Sequence, residues 1–216
     1  WEVTMDFFKV GMKSGKGGRL EVYPEFRTVR TRDLMVQGGK FYAIWDEEKG
    51  LWSKDSYRVN ELADAELYAK ANELGPGADV KSMEIMDSGY RKKFLDLCKL
   101  VDDNYRQLDQ NLVWLNTPSK REDYASKRLA YPLEDGDYSA WDELLTRLYA
   151  PEERAKLEWA IGAVVSGDSK KIQKCIVIFG KGGKGKSTVL NIIQDMFNGY
   201  CTTFRGADMG DRNNAF

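Results

Sequence analysis

Eight consecutive residues, Gly180-Lys181-Gly182-Gly183-Lys184-Gly185-Lys186-Ser187, hold four glycines, three lysines and a hydroxyl. They fit the pattern G-x-x-x-x-G-K-[ST] at every position. Those residue types at that spacing make an anion cradle. Glycines let the backbone curl so that successive N–H groups point inward at phosphate oxygens. A helix that starts at the lysine adds its unbonded amides and the positive end of its dipole. Lys186 is the expected catalytic residue, reaching the β- and γ-phosphates of ATP. The Ser187 hydroxyl is the expected Mg²⁺ ligand, and the Thr188 amide the expected contact to the α-phosphate. Gly180, Gly182, Gly183, Lys184 and Gly185 complete the phosphate-binding set, with the Lys181 and Lys184 side chains as solvated rim charges. The plain alternative is a glycine-rich turn with no ligand. Three lysines in one anion-shaped turn argue against it.

Such a loop needs a strand before it and a helix after it. The run Cys175-Ile176-Val177-Ile178-Phe179 reads as a strand buried on both faces, as in a parallel sheet. Residues 188–197, TVLNIIQDMF, read as the helix, stopped by Asn198-Gly199. Upstream, a helix from Ser139 to Tyr149 carries Trp141, Leu144, Leu145 and Leu148 on one face. Pro151 opens another, PEERAKLEWAIGAVVSG, with Glu152 and Glu153 at its positive end and Gly167 as its stop. Trp159 on that helix is expected in the core. The other tryptophans offer stacking faces for bases, but packing is the stronger reading for each.

Earlier in the chain, Gly11 to Arg19 reads as a loop and residues 38–53 as a β-hairpin turning at Asp46 to Gly50. A helix is predicted over 61–74, stopped by Gly75-Pro76-Gly77, and another over 88–100, capped by Asp87 or Ser88. Residues 111–116, NLVWLN, read as a short strand. The polar stretch 119–139 reads as a linker. Lys120-Arg121 and Lys127-Arg128, beside Tyr124 and Tyr131, could touch a nucleic-acid backbone. Interleaved Glu122, Asp123, Glu134 and Asp135 make a solvated linker the preferred reading. Asp135-Gly136-Asp137 and Asp102-Asp103 are read as turn residues rather than metal-binding pairs, since no third carboxylate accompanies them.

These elements give an expected α/β chain. Residues 1–135 would form a mainly helical module with a β-hairpin, and 136–216 the opening of a P-loop nucleotide-binding domain. The chain has no histidine, which excludes imidazole acid–base catalysis and His-containing zinc sites. Its three cysteines, Cys98, Cys175 and Cys201, form no CxxC pair and fit a reducing cytoplasm. The net charge is −1, so no global basic field binds nucleic acid. No apolar run reaches transmembrane length, and no membrane partner is expected. Trp1 and Phe216 both read as interior sequence of a longer chain.

Three segments carry a family resemblance: DYASKRLAYPLEDGDYSAWDELL, WAIGAVVSGDSKKIQK and CIVIFGKGGKGKSTVLNIIQDMF. Together they resemble phage and plasmid primase–helicases of the poxvirus type, whose motor is a superfamily III helicase, a branch of the AAA+ ATPases. The hairpin FYAIWDEEKGLW is similar to the segment that precedes that motor. The resemblance spans about residues 36–204. Many members place Asn where this chain has Lys184. The resemblance implies ATP-driven DNA unwinding in replication by a homo-hexameric ring, with ATP between subunits and the N-terminal region as a collar. It places single-stranded DNA contacts, the second acidic motif, the sensor and the arginine finger beyond Phe216. On that footing the chain alone binds ATP without hydrolysing it. Two rivals remain: another P-loop DNA motor, for packaging or origin binding, and a non-catalytic oligomerisation or docking module.

Overall fold

A computed structural model describes residues 7–27, 30–83 and 89–203, apart from the side chain of Lys170. The described residues fall in two compact units. The first lies within Trp1–Leu108 and Ser119–Ser126, the second within Asp109–Pro118 and Lys127–Phe216. The chain therefore crosses between units at 108, 118 and 126 rather than once near 135. No helix among the described residues is long and apolar enough to cross a membrane.

The first unit is not mainly helical: it holds six strands and two long helices. Strands β1 (Phe8–Ser14) and β2 (Leu20–Phe26) form an antiparallel hairpin, and β6 (Ala78–Val80) joins β2 in parallel. The stretch expected as a loop from Gly11 is thus strand as far as Ser14. Alternation at Phe8, Val10 and Met12 outweighs its glycine content, and only Gly15 to Arg19 form the turn. Gly11 belongs to the strand for a packing reason. A Cβ there would lie 2.6 Å from the Tyr23 ring across the ladder.

The second sheet is the meander β3 (Leu34–Gln37), β4 (Lys40–Asp46) and β5 (Leu51–Ser53), which contains the predicted hairpin. Both of its faces are covered. Leu34, Val36 and Ile44 enter one core with Phe7, Phe8 and Phe94; Met35, Ala43 and Trp45 enter another with Trp52 and Leu108. Helix α1 (Ser56–Leu74) starts five residues earlier than predicted because the Asp55 carboxylate accepts from the Tyr57 amide, and it ends at Gly75 as expected. Helix α2 (Gly89–Leu100) occupies the expected place, while the suggested caps Asp87 and Ser88 lie outside the described residues. Burial raises the Cys98 thiol to about 11, so it packs as a protonated hydrophobe.

The segment 119–126 is no solvated linker. Arg121 Nε donates to Asp33 Oδ1 at 2.7 Å, and its Nη2 to Glu47 Oε2 at 2.9 Å. Trp52 donates through Nε1 to Arg121 O and through its amide to Ala125 O. The Arg121 charge is thus matched by partners more than 70 residues upstream, while Asp123 accepts locally from the Lys120 amide.

The second unit is helical, with α3 (Ser139–Leu148), α4 (Pro151–Val165), a short α5 (Ser169–Ile172) and α6 (Lys186–Met196). Arg154 of α4 ties α3 down through Asp142 at 2.7 Å and Thr146 at 3.0 Å. Trp159 is 52% exposed, against expectation. Leu157, Ile161 and Val165 form the inward stripe of α4, and a residue two positions past Leu157 points about 200° away from it. Residues 111–116 are also not a strand. They run beside 127–131 with two backbone bonds, Leu129 N to Val113 O and Leu115 N to Tyr131 O, and the Tyr200 hydroxyl links both segments.

Asp46 is one of the buried carboxylates of the first unit, with its side chain 1% exposed. Arg58 grips it twice, Nε to Oδ2 at 2.7 Å and Nη2 to Oδ1 at 3.2 Å, and the Lys49 amide adds a third bond. Burial pushes this carboxyl upward, but the Arg58 hydrogen bonds, the Lys49 amide and both cations outweigh it and hold the acid below its ordinary range. The unfolded chain therefore takes up the proton first. Asp46 contributes stability above about pH 4 that is lost as pH falls through its lowered folded value. Arg58→Met should destabilise the fold by up to about 3 kcal/mol by removing the carboxylate's two guanidinium hydrogen bonds, leaving it the Lys49 amide and the Lys49 ammonium at 3.6 Å. The double variant Arg58→Met with Asp46→Asn should recover much of the loss. Urea melts followed by the fluorescence of Trp45 and Trp52 check both.

Candidate functional site: the glycine–lysine loop

The loop Gly180–Gly185 joins a segment without regular secondary structure, 173–179, to the first turn of α6. Three of its glycines take positive φ: 145° at Gly180, 72° at Gly183 and 74° at Gly185. Side chains at those positions would be strained, so the turn requires what the sequence supplies. Lys186 opens α6 and curls back over the loop. Its Nζ donates to Gly180 O at 2.9 Å and Lys181 O at 2.7 Å. The ammonium is thereby fixed across the mouth of the turn.

Helical geometry leaves the first amides of α6 without intrahelical acceptors. The first cap bond runs from Val189 N to Gly185 O. The amides of Lys186, Ser187 and Thr188 precede it, beside the ammonium and at the positive end of the helix. Ser187 and Thr188 are exposed, as are Gly182, Gly183 and Lys184. Every residue expected at this site thus lies in one open turn with amide donors, three ammonium groups and a hydroxyl. The Ser187 hydroxyl offers one hard oxygen donor beside the Lys186 ammonium, a ligand type that fits Mg²⁺. No group of three or more Asp, Glu or Cys residues among those described could hold a metal alone.

Packing below the loop positions it. Val189 is fully buried with Leu145 of α3 and Leu157 of α4. Leu148 of α3 lies under Gly185, where an added Cβ would meet both of its methyl carbons at 2.8 Å. That contact was not legible in the sequence, since it depends on how α3 packs on α6.

The approach to the loop departs from expectation. Residues 175–179 form no strand and pair with none among the described residues. Ile176, Val177 and Phe179 are 47, 74 and 89% exposed. The apolar, β-branched composition is that of a buried strand, but a strand exists only through a neighbour's backbone, and the described part of this unit provides none. The run borders an apolar cavity of about 680 Å³, lined also by Leu157, Ile161, Leu190, Ile193 and Phe197.

Of the acidic pairs, Asp103 makes a distant contact and Asp137 a local one. Asp103 accepts from the Gly38 amide at 3.0 Å. Asp137 accepts from the Ser139 amide at 2.9 Å at the start of α3, which holds its carboxyl below the ordinary range. Comparison of the chain with protein-family models, curated proteins and solved structures returns no match.

Gly185→Ala should destabilise the second unit by about 1–3 kcal/mol, through its positive φ and the clash with Leu148. Adding Leu148→Ala should relieve the steric part and leave the backbone part. Thermal melts of the single and double variants measure the two contributions.

Proposed function

We propose that this chain carries the nucleotide-binding part of a P-loop DNA motor of the superfamily III primase–helicase type, using ATP and Mg²⁺. One observation carries the reading: the Lys186 ammonium held over a glycine turn whose exposed amides, Ser187 and Thr188 open the following helix. Loop amides and the positive end of α6 bind the phosphates. Lys186 shifts from the carbonyls of Gly180 and Lys181 to the β- and γ-phosphate oxygens, trading neutral acceptors for charged ones. Ser187 holds Mg²⁺, which neutralises charge on those oxygens when bound. The chain's part in hydrolysis is positioning and charge stabilisation.

The assembly belongs to the same proposal: a cytoplasmic homo-hexameric ring acting on single-stranded DNA. In this reading Cys175–Phe179 is the entry strand of the motor's parallel sheet. Further strands cover the exposed faces of Val177 and Phe179 and the apolar cavity beside them. The helices α3 and α4 then support the loop from below.

Lys186→Ala should weaken binding of a fluorescent ATP analogue by at least tenfold, about the 1.5–3 kcal/mol of a charge-assisted hydrogen bond. Ser187→Ala should lose most of the Mg²⁺ enhancement of that affinity. Titration with and without Mg²⁺ reads both. Unchanged affinity in Lys186→Ala overturns the proposal and favours a structural turn.

A further inference from the structure

The first unit holds a cavity of about 490 Å³, within the size range of small-ligand sites and large enough for one or two nucleotides. Four arginines line it: Arg30, Arg32, Arg106 and Arg121. Glu122 is the one acidic lining residue, and Trp52 and Tyr124 supply aromatic surface. Three separate chain segments bring the four arginines together, so no sequence motif announces them.

The walls are fixed by other contacts. Arg121 is held by Asp33 and Glu47, and its guanidinium lies 5.4 Å from the Trp45 ring centroid. Its carbonyl accepts from both Trp52 Nε1 and the Tyr124 amide. The half-buried Tyr124 ring stacks on Trp52 at 6.4 Å and 19°. Asn104 joins the other two walls: its amide nitrogen donates to Thr31 O at 3.1 Å and its oxygen accepts from Val36 N at 2.7 Å. Arg30, Arg32 and Arg106 stand exposed around this frame. Asp33, 3% exposed, faces both Arg121 and, at 3.8 Å, Arg32.

We infer that this arginine-rimmed, aromatic-walled cavity binds single-stranded DNA, with phosphates on Arg30, Arg32 and Arg106 and a base stacked on Tyr124. Guanidinium forks match phosphate oxygens in pairs. A tyrosine ring in a cationic groove gives an unpaired base a stacking face that it lacks inside a duplex. The prebuilt walls keep the ordering cost of binding low. That the polyanion is DNA rests on the motor reading above; the cationic and aromatic site does not. The site also lies in the unit where the resemblance placed no DNA contact.

The test uses the whole chain and a fluorescently labelled twenty-nucleotide oligo(dT), with anisotropy read over a range of salt. Arg30→Gln with Arg106→Gln should weaken binding at least tenfold and lower the slope of log affinity against log salt by about 1.4, the value for two lost single-strand phosphate contacts. Tyr124→Leu keeps the apolar volume and should weaken binding about fivefold or more with little change in slope. Lys156→Gln, which removes an exposed cation outside both sites, should bind oligo(dT) as the parent does. Circular dichroism confirms that each variant is folded. The inference is overturned if the parent chain fails to bind oligo(dT) at low salt, or if the double arginine variant binds unchanged. It is also overturned if Tyr124→Leu is silent and duplex binds equally well, or if Lys156→Gln alone abolishes DNA binding. Failure of ATP-analogue binding would remove the motor reading and leave these arms intact.

Discussion

The ammonium of Lys186 rests on the backbone carbonyls of Gly180 and Lys181, and that contact depends on three constraints of the second unit acting together. The lysine reaches those carbonyls because it occupies the first position of α6 and the loop doubles back beneath it. The loop doubles back because three of its glycines take positive φ. The start of α6 is set in turn by Val189, buried between α3 and α4, and by Leu148 filling the space that a side chain at position 185 would need. Backbone conformation, helix start and helix packing are one linked arrangement. A change at any of the three moves the cation relative to the amides that surround it.

The first unit rests on a different constraint, the burial of charge. Asp46 and Asp33 are almost fully enclosed, and each is matched by an arginine from a distant part of the chain. Buried pairs of this kind add little net stability over apolar packing, because desolvation offsets attraction. Their effect is on specificity: an arrangement that separates either pair leaves a bare carboxylate in the core. Arg58 thereby fixes the start of α1 against the hairpin turn. Arg121 brings residues 119–126 back onto the first unit after the chain has visited the second.

Local chemistry was legible in the sequence, and non-local chemistry was not. The glycine turn before α6, the Gly75 stop, the proline start of α4 and the hairpin turn after Asp46 are each set by residues within a few positions, and as local structure each lies where the sequence placed it. The strand at 175–179 was inferred from composition alone, yet pairing depends on another segment's backbone. Trp159 was placed by overall apolarity, whereas the three-residue stripe of Leu157, Ile161 and Val165 decides which face turns inward. Residues 119–126 looked like a linker because Arg121 pairs with Asp33 and Glu47, far upstream. The candidate phosphate site was legible because all of its residues are contiguous. The arginine cavity was not, because its walls come from residues 30–32, 104–106 and 121–124.

The near balance of 33 basic and 34 acidic residues conceals how those charges are used. Several carboxylates act as internal acceptors: Asp33 and Asp46 for arginines, Asp64 for the Met83 amide, Asp103 and Asp137 for turn amides. A carboxylate committed to a short internal contact contributes little to the field outside. Cations that lie in the open contribute more, and they are grouped, with three lysines in one turn of the second unit and three exposed arginines around one cavity of the first. A net charge of −1 is therefore compatible with two locally positive sites.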